Sequence, residues 1–465
     1  MNISCYGGKN EIGGNKILVE HKNTRIFLDF GISLSRARTF FSEFIQPRKS
    51  AGLLDFFELG LLPDIKGIYR EDYLQHMGRP AENRSIDGII LSHAHADHAQ
   101  YIHFIRNDVP IFCTRETKII LDALEVITTS QFNDLVTICD AFIFKKNKKG
   151  ELTRVNRRDQ EFVKKRPYII VEPEKKIRIG SFDIEMYPVD HSVPGACGCI
   201  LYSDEGNLVY TGDIRFHGYH SEKSRTFIQK AKEAHPKWLL CEGTKIEKKT
   251  GDSEKKLVHT MSSIIQKAPG LVFVEHPIRD LDRAQTIYSA AKDNHREFVV
   301  GLKLAYLIKA LGSFCSFSLD DVLIFVPRKS WGLIDRKDID KKLVEKDYEV
   351  WERELIQRKN VVTYHDVQND QSRYVVSMNL WEITNLIDIQ PKRAFWIKSS
   401  CEPFSDDMEL DEKRKQAWLD HFHIKQFVAH ASGHASGSEI KNLIREINPK
   451  KVIPVHTEHP ELYSR

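Results

Sequence analysis

Short, mostly apolar runs that close on an acid or a histidine recur along this chain. Arg25-Ile26-Phe27-Leu28 ends at Asp29, Gly88 to Leu91 runs into Ser92-His93, and Phe182 to Val189 into Asp190-His191. Asn207 to Tyr210 leads to Thr211-Gly212-Asp213, Trp238 to Cys241 to Glu242, and Val452 to Val455 to His456. Each reads as a strand. Ile3 to Tyr6 and Lys16 to Glu20 predict two more, joined through Gly7-Gly8-Lys9-Asn10-Glu11-Ile12-Gly13-Gly14. Those glycines do not fit GxGxxG and no helix follows, so a tight turn explains them better than a phosphate cradle. Val109 to Cys113 reads as a strand, and Arg115 to Thr129 carries apolar residues at helical spacing.

Beyond Thr244 the pattern changes to an alternation of helix and strand. Ser253 to Lys267, Leu281 to Lys292 and Leu302 to Leu311 read as helices; Leu271 to Glu275, Phe298 to Val300 and Val322 to Val326 read as strands. This alternation predicts an inserted α/β domain with a largely parallel sheet. It loosens through Lys329 to Gln371, strand-like Tyr374 to Ser377 and Ala394 to Ile397 follow, and the chain is expected to re-enter the first domain near Ser399.

A length of 465 residues also favours two domains over one core. With 41% hydrophobic and 29% charged residues the chain reads as globular and soluble. No run reaches the apolar length of a bilayer span, and Met1 to Asn15 lacks a signal-peptide pattern. Eight scattered cysteines suit free thiols in a reducing compartment, which places the protein in the cytoplasm.

Net charge is only +4, but Ala141 to Gly180 holds thirteen Lys and Arg against five Asp and Glu. That excess either draws a polyanion or is a solvated surface insertion. Phe40 to Arg84 is rich in aromatics, suited to stacking bases or, more commonly, to packing a lid or subunit contact.

The chemistry centres on His93-Ala94-His95-Ala96-Asp97-His98. His93 and His95 are two apart, so an extended backbone turns both imidazoles to one side. Asp97 and His98 follow where the chain turns into a helix, and can face a second point nearby. Four such ligands in six residues suit a pair of borderline-soft ions, most naturally zinc. His191 is either the next ligand or a satisfied core histidine. Asp213 supplies a carboxylate able to bridge two ions. Asp29 either orients a ligand histidine or caps a turn. The small-residue loop Ala429 to Gly437 carries His430 and His434, and precedes a helix whose N-terminus would face an anion.

Asp29, His93-Ala94-His95-Ala96-Asp97-His98, His191 and Asp213 resemble the successive motifs of the metallo-β-lactamase superfamily. With Glu242, His434 and His456 as its motifs A, B and C, the chain is similar to the β-CASP branch, whose members process nucleic acids. The GGxNEIGG start, DHSVPGA around His191 and SGHAS around His434 are most similar to RNase J and its archaeal relatives. The chain ends shortly after His456, where full-length bacterial RNase J carries a separate C-terminal domain, so no dimer through such a domain is expected.

The resemblance implies an α/β fold. An αββα sandwich would be formed by residues 1–213 and 399–465, with an inserted α/β β-CASP domain at 214–398. It implies two Zn2+ per chain, one held by His93, His95 and His191, the other by Asp97, His98 and His456, with Asp213 bridging. His434 would act as general acid, with Glu242 and Asp29 fixing ligand histidines. His430, Ser432, Gly433, His434, Ala435 and Ser436 would contact the substrate. RNA is the implied partner, no membrane is, and a homo-oligomer stays open. The implied activity is metal-dependent RNA hydrolysis, 5′-to-3′ exonuclease with endonuclease cuts. A DNA nuclease of the same superfamily and a non-catalytic RNA-binding scaffold are the alternatives.

Overall fold

The computed structural model describes residues 1–463 apart from Glu43, Thr250, Gly251 and Phe404. It divides into two compact units. The first comprises Met1–Phe216, His220–Thr250 and Gly433–Arg465; the second comprises His217–Tyr219 and Gly251–Ser432.

In the first unit two six-stranded sheets face each other. One runs Asn2–Gly7, Lys16–His21, Thr24–Leu28, Gly88–Ile90, Ile111–Cys113, Tyr168–Ile170. The other runs Ile177–Ile179, Phe182–Pro188, Cys197–Tyr202, Leu208–Tyr210, Trp238–Cys241, Lys451–Pro454. Each begins antiparallel and turns parallel, at Thr24–Leu28 beside Gly88–Ile90 and at Leu208–Tyr210 beside Trp238–Cys241. Ile17, Val19, Ile26 and Leu28 of the first sheet share one core with Phe182, Ile184, Cys199 and Leu240 of the second. The intervening Leu18 and Phe27 are also buried, so these strands are covered on both faces. That double burial is why they read as unbroken apolar runs. Helix Ser221–Glu233 lies against the second sheet, where Phe227 fills the space over Gly198. The architecture is the metallo-β-lactamase sandwich that the motifs imply.

The aromatics between residues 40 and 84 chiefly pack. Phe56 meets the rings of Tyr101, Phe104 and Phe132, Tyr73 meets Phe104, and Phe57 meets Tyr69. Phe44 stays exposed. The eight cysteines are free thiols. Among the described residues, no helix is long and apolar enough to cross a membrane.

The second unit is built on seven parallel strands, ordered Val361–Val362, Leu323–Phe325, Glu297–Gly301, Tyr374–Ser377, Val272–Glu275, Phe395–Lys398, Lys425–Val428. Its extent differs from the sequence reading, which has the chain returning near Ser399. Helix Asp406–His421 instead crosses back, and Lys425–Val428 adds a strand in register with Phe395–Lys398. The unit therefore runs to Ser432. Lys425-Gln426-Phe427-Val428 is a half-exposed edge strand without an apolar run, so its pattern carries no signal.

Candidate metal centre

Seven of the expected residues converge in the first unit at the ends of its strands. His93 Nε2 and His191 Nε2 lie 3.0 and 3.2 Å from His95 Nδ1, and 3.5 and 3.7 Å from Asp213 Oδ2. Beside them His456 Nε2 is 3.2 Å and His98 Nε2 3.8 Å from Asp97 Oδ2. Asp213 Oδ2 stands between the groups, 3.2 Å from His98 Nε2 and 3.7 Å from His456 Nε2. Both clusters have the size and donor types of a metal site. Asp213, His434 and His456 form a third, overlapping group.

The glycine turn and a second glycine seat this loop. A Cβ on Gly31 would lie 1.8 Å from the Asp97 carbonyl oxygen, and one on Gly13 would lie 2.6 Å from Asp97 Oδ2. Through that close approach Asn15 N–H donates to the Asp97 carbonyl and Phe30 N–H to that of His98. His456 N–H donates to the Gly8 carbonyl at 2.6 Å. The turn is tight, as expected, but it also holds the two ends of one ligand group.

The rings of His93, His98, His191 and His456 are each oriented through the other nitrogen. Asp29 is fully buried, and its carboxylate accepts four hydrogen bonds. They come from Ser92 N–H (2.7 Å), Ser92 Oγ (2.7 Å), Tyr210 Oη (2.6 Å) and His98 Nδ1 (2.7 Å). His93 Nδ1 meets Ser92 Oγ at 2.9 Å, His191 Nδ1 donates to the Gly433 carbonyl at 2.6 Å, and His456 Nδ1 meets Thr244 Oγ1 at 2.7 Å. With Nδ1–H directed outward, Nε2 of His93, His98, His191 and His456 keeps its lone pair for the centre. Asp29 and His456 both hold left-handed backbone, at φ 58° and 53°. That conformation is costly for a non-glycine residue and is sustained here by the bonds around it.

The electrostatics agree with an ion between these groups. Burial, followed by the proximity of His98, holds His93 well below the ordinary imidazole range. Burial likewise keeps His191 neutral, outweighing Asp213. Burial also opposes charge on His98 and His456, but Asp213 above all, with Asp97, raises His98 well above its ordinary value and His456 to about 8. The carboxylates therefore demand positive charge, and without a metal they draw it from protons. His98 Nε2 and Asp213 Oδ1 are buried without a hydrogen bond, as lone pairs awaiting a cation would be. The donor set fits a metal.

His434 sits at the margin with a side chain 19% exposed, its Nδ1 3.2 Å from Glu242 Oε1 and 3.9 Å from Asp213 Oδ2. Glu242, fully buried, also accepts from Ile214 N–H and Thr244 N–H. Two of the residues expected to contact substrate, Ala435 and Ser436, are engaged within the fold itself. Ala435 is buried and its N–H is spent on the Ile214 carbonyl. Ser436 is buried as the N-cap of helix Gly437–Ile447, exchanging hydrogen bonds with Glu439. Both are structural because the helix start needs them. The Gly433 carbonyl is occupied by His191. His430 and Ser432 belong to the second unit, where His430 Nδ1 is 3.1 Å from Arg283 Nη1 and the Ser432 carbonyl accepts from His217 Nε2.

Sequence reasoning missed Ser92, Tyr210 and Thr244. Ser92 adjoins His93 and could have been flagged as a hydroxyl beside a ligand. Nothing local marks Tyr210 or Thr244, whose partners are distant in sequence.

Residues 63–234 match the beta-lactamase superfamily domain, and residues 423–464 match the Zn-dependent metallo-hydrolase RNA specificity domain. Ribonuclease J of Pyrococcus abyssi is 23% identical over 98% of this chain and 90% of its own length. Ribonuclease J of Thermus thermophilus is 22% identical over 98% of this chain and 68% of its length. With Ribonuclease J of Mycobacterium tuberculosis the match, 24% identical, takes in 63% of this chain and 42% of that protein. A crystal structure of a protein of unknown function from Enterococcus faecalis V583 shares the fold, with a TM-score of 0.70 and 21% identity over 99% of this chain and 95% of that one. The chain is an RNase J-like β-CASP protein of the metallo-β-lactamase superfamily.

Proposed function

We propose that this chain is a zinc-dependent ribonuclease, cutting RNA phosphodiester bonds from the 5′ end and also internally. The observation that carries this reading is the complete ligand set, His93, His95, Asp97, His98, His191, Asp213 and His456, in a chain whose residues 423–464 match an RNA-specificity domain. Two zinc ions held by that set would supply an activated water and charge stabilisation at the phosphate.

The protein's own groups do the remainder. Asp29, Ser92 and Thr244 keep the ligand rings in one tautomer, so their lone pairs need no reorganisation. Glu242 accepts a hydrogen bond from His434 Nδ1–H. That leaves Nε2 to carry the proton given to the departing 3′ oxygen, the work of a positioned general acid. Gly433 ties this loop to His191, so acid and ligand move as one piece.

The test is a long RNA labelled at either end, in 5′-monophosphate and 5′-triphosphate forms, with products followed in time. Mononucleotides accumulating from the 5′ end, with a minority of internal fragments, are expected, and a strong chelator should abolish both. Full activity in a chain without bound transition metal refutes the proposal, as does turnover confined to DNA. Binding without turnover would mark a scaffold.

A further inference from the structure

A cavity of about 810 Å³ lies within the first unit and shares no residue with the metal-ligand set. Its volume falls in the range of sites that enclose an organic ligand. The stack of His76 on Phe142 (3.7 Å between centroids, 8° between planes) contributes to its wall, with Tyr73 edge-on to Phe142. Phe142 holds this place at φ 62°, a backbone region that bulky residues avoid.

Above that wall stands the hairpin Phe144–Lys146 and Leu152–Arg154, a two-stranded sheet that pairs with no further strand among the described residues. Phe144 lies directly opposite Arg154, and Lys146 opposite Leu152, so one face carries two apolar and two cationic side chains. Phe144 is 59% and Leu152 70% exposed. Both Phe144 and Arg154 border the cavity.

The charge at this place is also uneven. The acids that border the cavity are committed. Glu125 and Asp134 bind Arg157, Asp134 also binds Arg70, and Asp140 binds Lys164. Lys49 and Arg154 border it with no ion-pair partner among the described residues. A recess with exposed aromatic surface, uncompensated cations and hydrogen-bonding walls suits a planar ring bearing an anion.

We propose that this cavity binds one nucleotide of a single-stranded RNA away from the scissile bond, its base on Phe144 and its phosphate at Lys49 and Arg154. Aromatic faces beside cations are how single strands are held without regard to sequence. The +8 balance of residues 141–180 supports a strand over a free nucleotide, because Lys146, Lys148 and Lys149 continue the cationic surface along the same hairpin. The inference rests on the reading of the chain as acting on RNA.

It is tested by fluorescence anisotropy of a labelled oligouridine of about 16 nucleotides, using the full chain with His434→Ala to slow cleavage. Phe144→Ala and Phe144→Leu should weaken binding about five- to a hundredfold, and Phe144→Trp should restore it. Lys49→Ala and Arg154→Ala combined should lower the log–log salt slope by roughly 0.7, the worth of one phosphate contact. Rescue by Trp but not Leu separates stacking from general packing. Unchanged affinity and slope in all of these variants, with RNA still bound and cut at the metal centre, overturn this site and leave the ribonuclease reading standing. A parent chain that neither binds nor cuts RNA overturns both. Uridine monophosphate or inorganic phosphate binding that falls in the variants, while oligouridine binding does not, overturns the assignment to RNA.

Discussion

Asp29→Asn tests how the protein prepares its metal ligands. The native carboxylate takes four hydrogen bonds at 2.6–2.7 Å with no exposure to solvent. An asparagine of nearly equal volume can retain the three bonds at the Oδ2 position, but as neutral bonds of about half the strength. Its amide NH2 then faces the Ser92 N–H, leaving a buried donor unpaired at a cost of about 1–3 kcal/mol. Together these predict a loss of roughly 2–5 kcal/mol in the stability of the first unit.

A distinct effect falls on the metal. His98 loses the anionic partner of its Nδ1–H, and such losses lower affinity about 10- to 100-fold. Competition with a chromophoric chelator measures the affinity, and denaturant unfolding of the apo chain measures the stability. Tyr210→Phe is the control, because it removes one bond to Asp29 without touching His98. It should cost about 1–2 kcal/mol and leave zinc affinity alone. Zinc affinity unchanged in Asp29→Asn, or lowered equally in Tyr210→Phe, would refute the claim that Asp29 acts on the metal through His98.

His434→Ala should keep zinc content and RNA affinity while cleavage falls about a hundredfold to ten-thousandfold, whereas His456→Ala should lose zinc and rate together; elemental analysis beside single-turnover rates decides, and zinc loss in His434→Ala would make that residue a ligand, as the third cluster allows. Gly31→Ala places a methyl against the Asp97 carbonyl, with only 1.8 Å available, so zinc retention should collapse; retention equal to the parent chain would show that the loop can shift freely. Neutralising Lys146, Lys148 and Lys149, which have no ion-pair partner among the described residues, should flatten the salt dependence of RNA binding by roughly 0.7 per lost contact. Lys145→Ala should change it little, because that side chain is already paired with Asp159. A slope change confined to Lys145→Ala would reverse this reading of the hairpin.

The convergence of the candidate ligands was legible because they cluster in sequence or close apolar strands. His93 to His98 needed no tertiary knowledge, and Asp29, His191, Asp213 and His456 each ended a run visible as hydrophobicity. Asp29 and His191 each left two roles open, and for Asp29 the hydrogen bonds to Ser92 and His98 favour the orienting role. The edge strand Lys425–Val428 was hidden because half its surface faces solvent, and the second unit's boundary was hidden with it. Ser436 was misread for a similar reason. Its position before a helix suits both an anion site and a cap, and the carboxylate of Glu439 settles it as a cap.

The strand Lys451–Pro454 closes the second sheet beside Trp238–Cys241 and brings His456 to Asp97, 359 residues earlier in the chain. Six of the seven ligands have been synthesised by Asp213, yet the seventh arrives only after the entire second unit. At ribosomal rates that interval is on the order of ten to fifty seconds. Throughout it, a growing polypeptide is tethered to its own messenger RNA with the candidate cluster of Asp97 and His98 short of His456. A site assembled in this order acquires its last candidate ligand only once the whole second unit has been made.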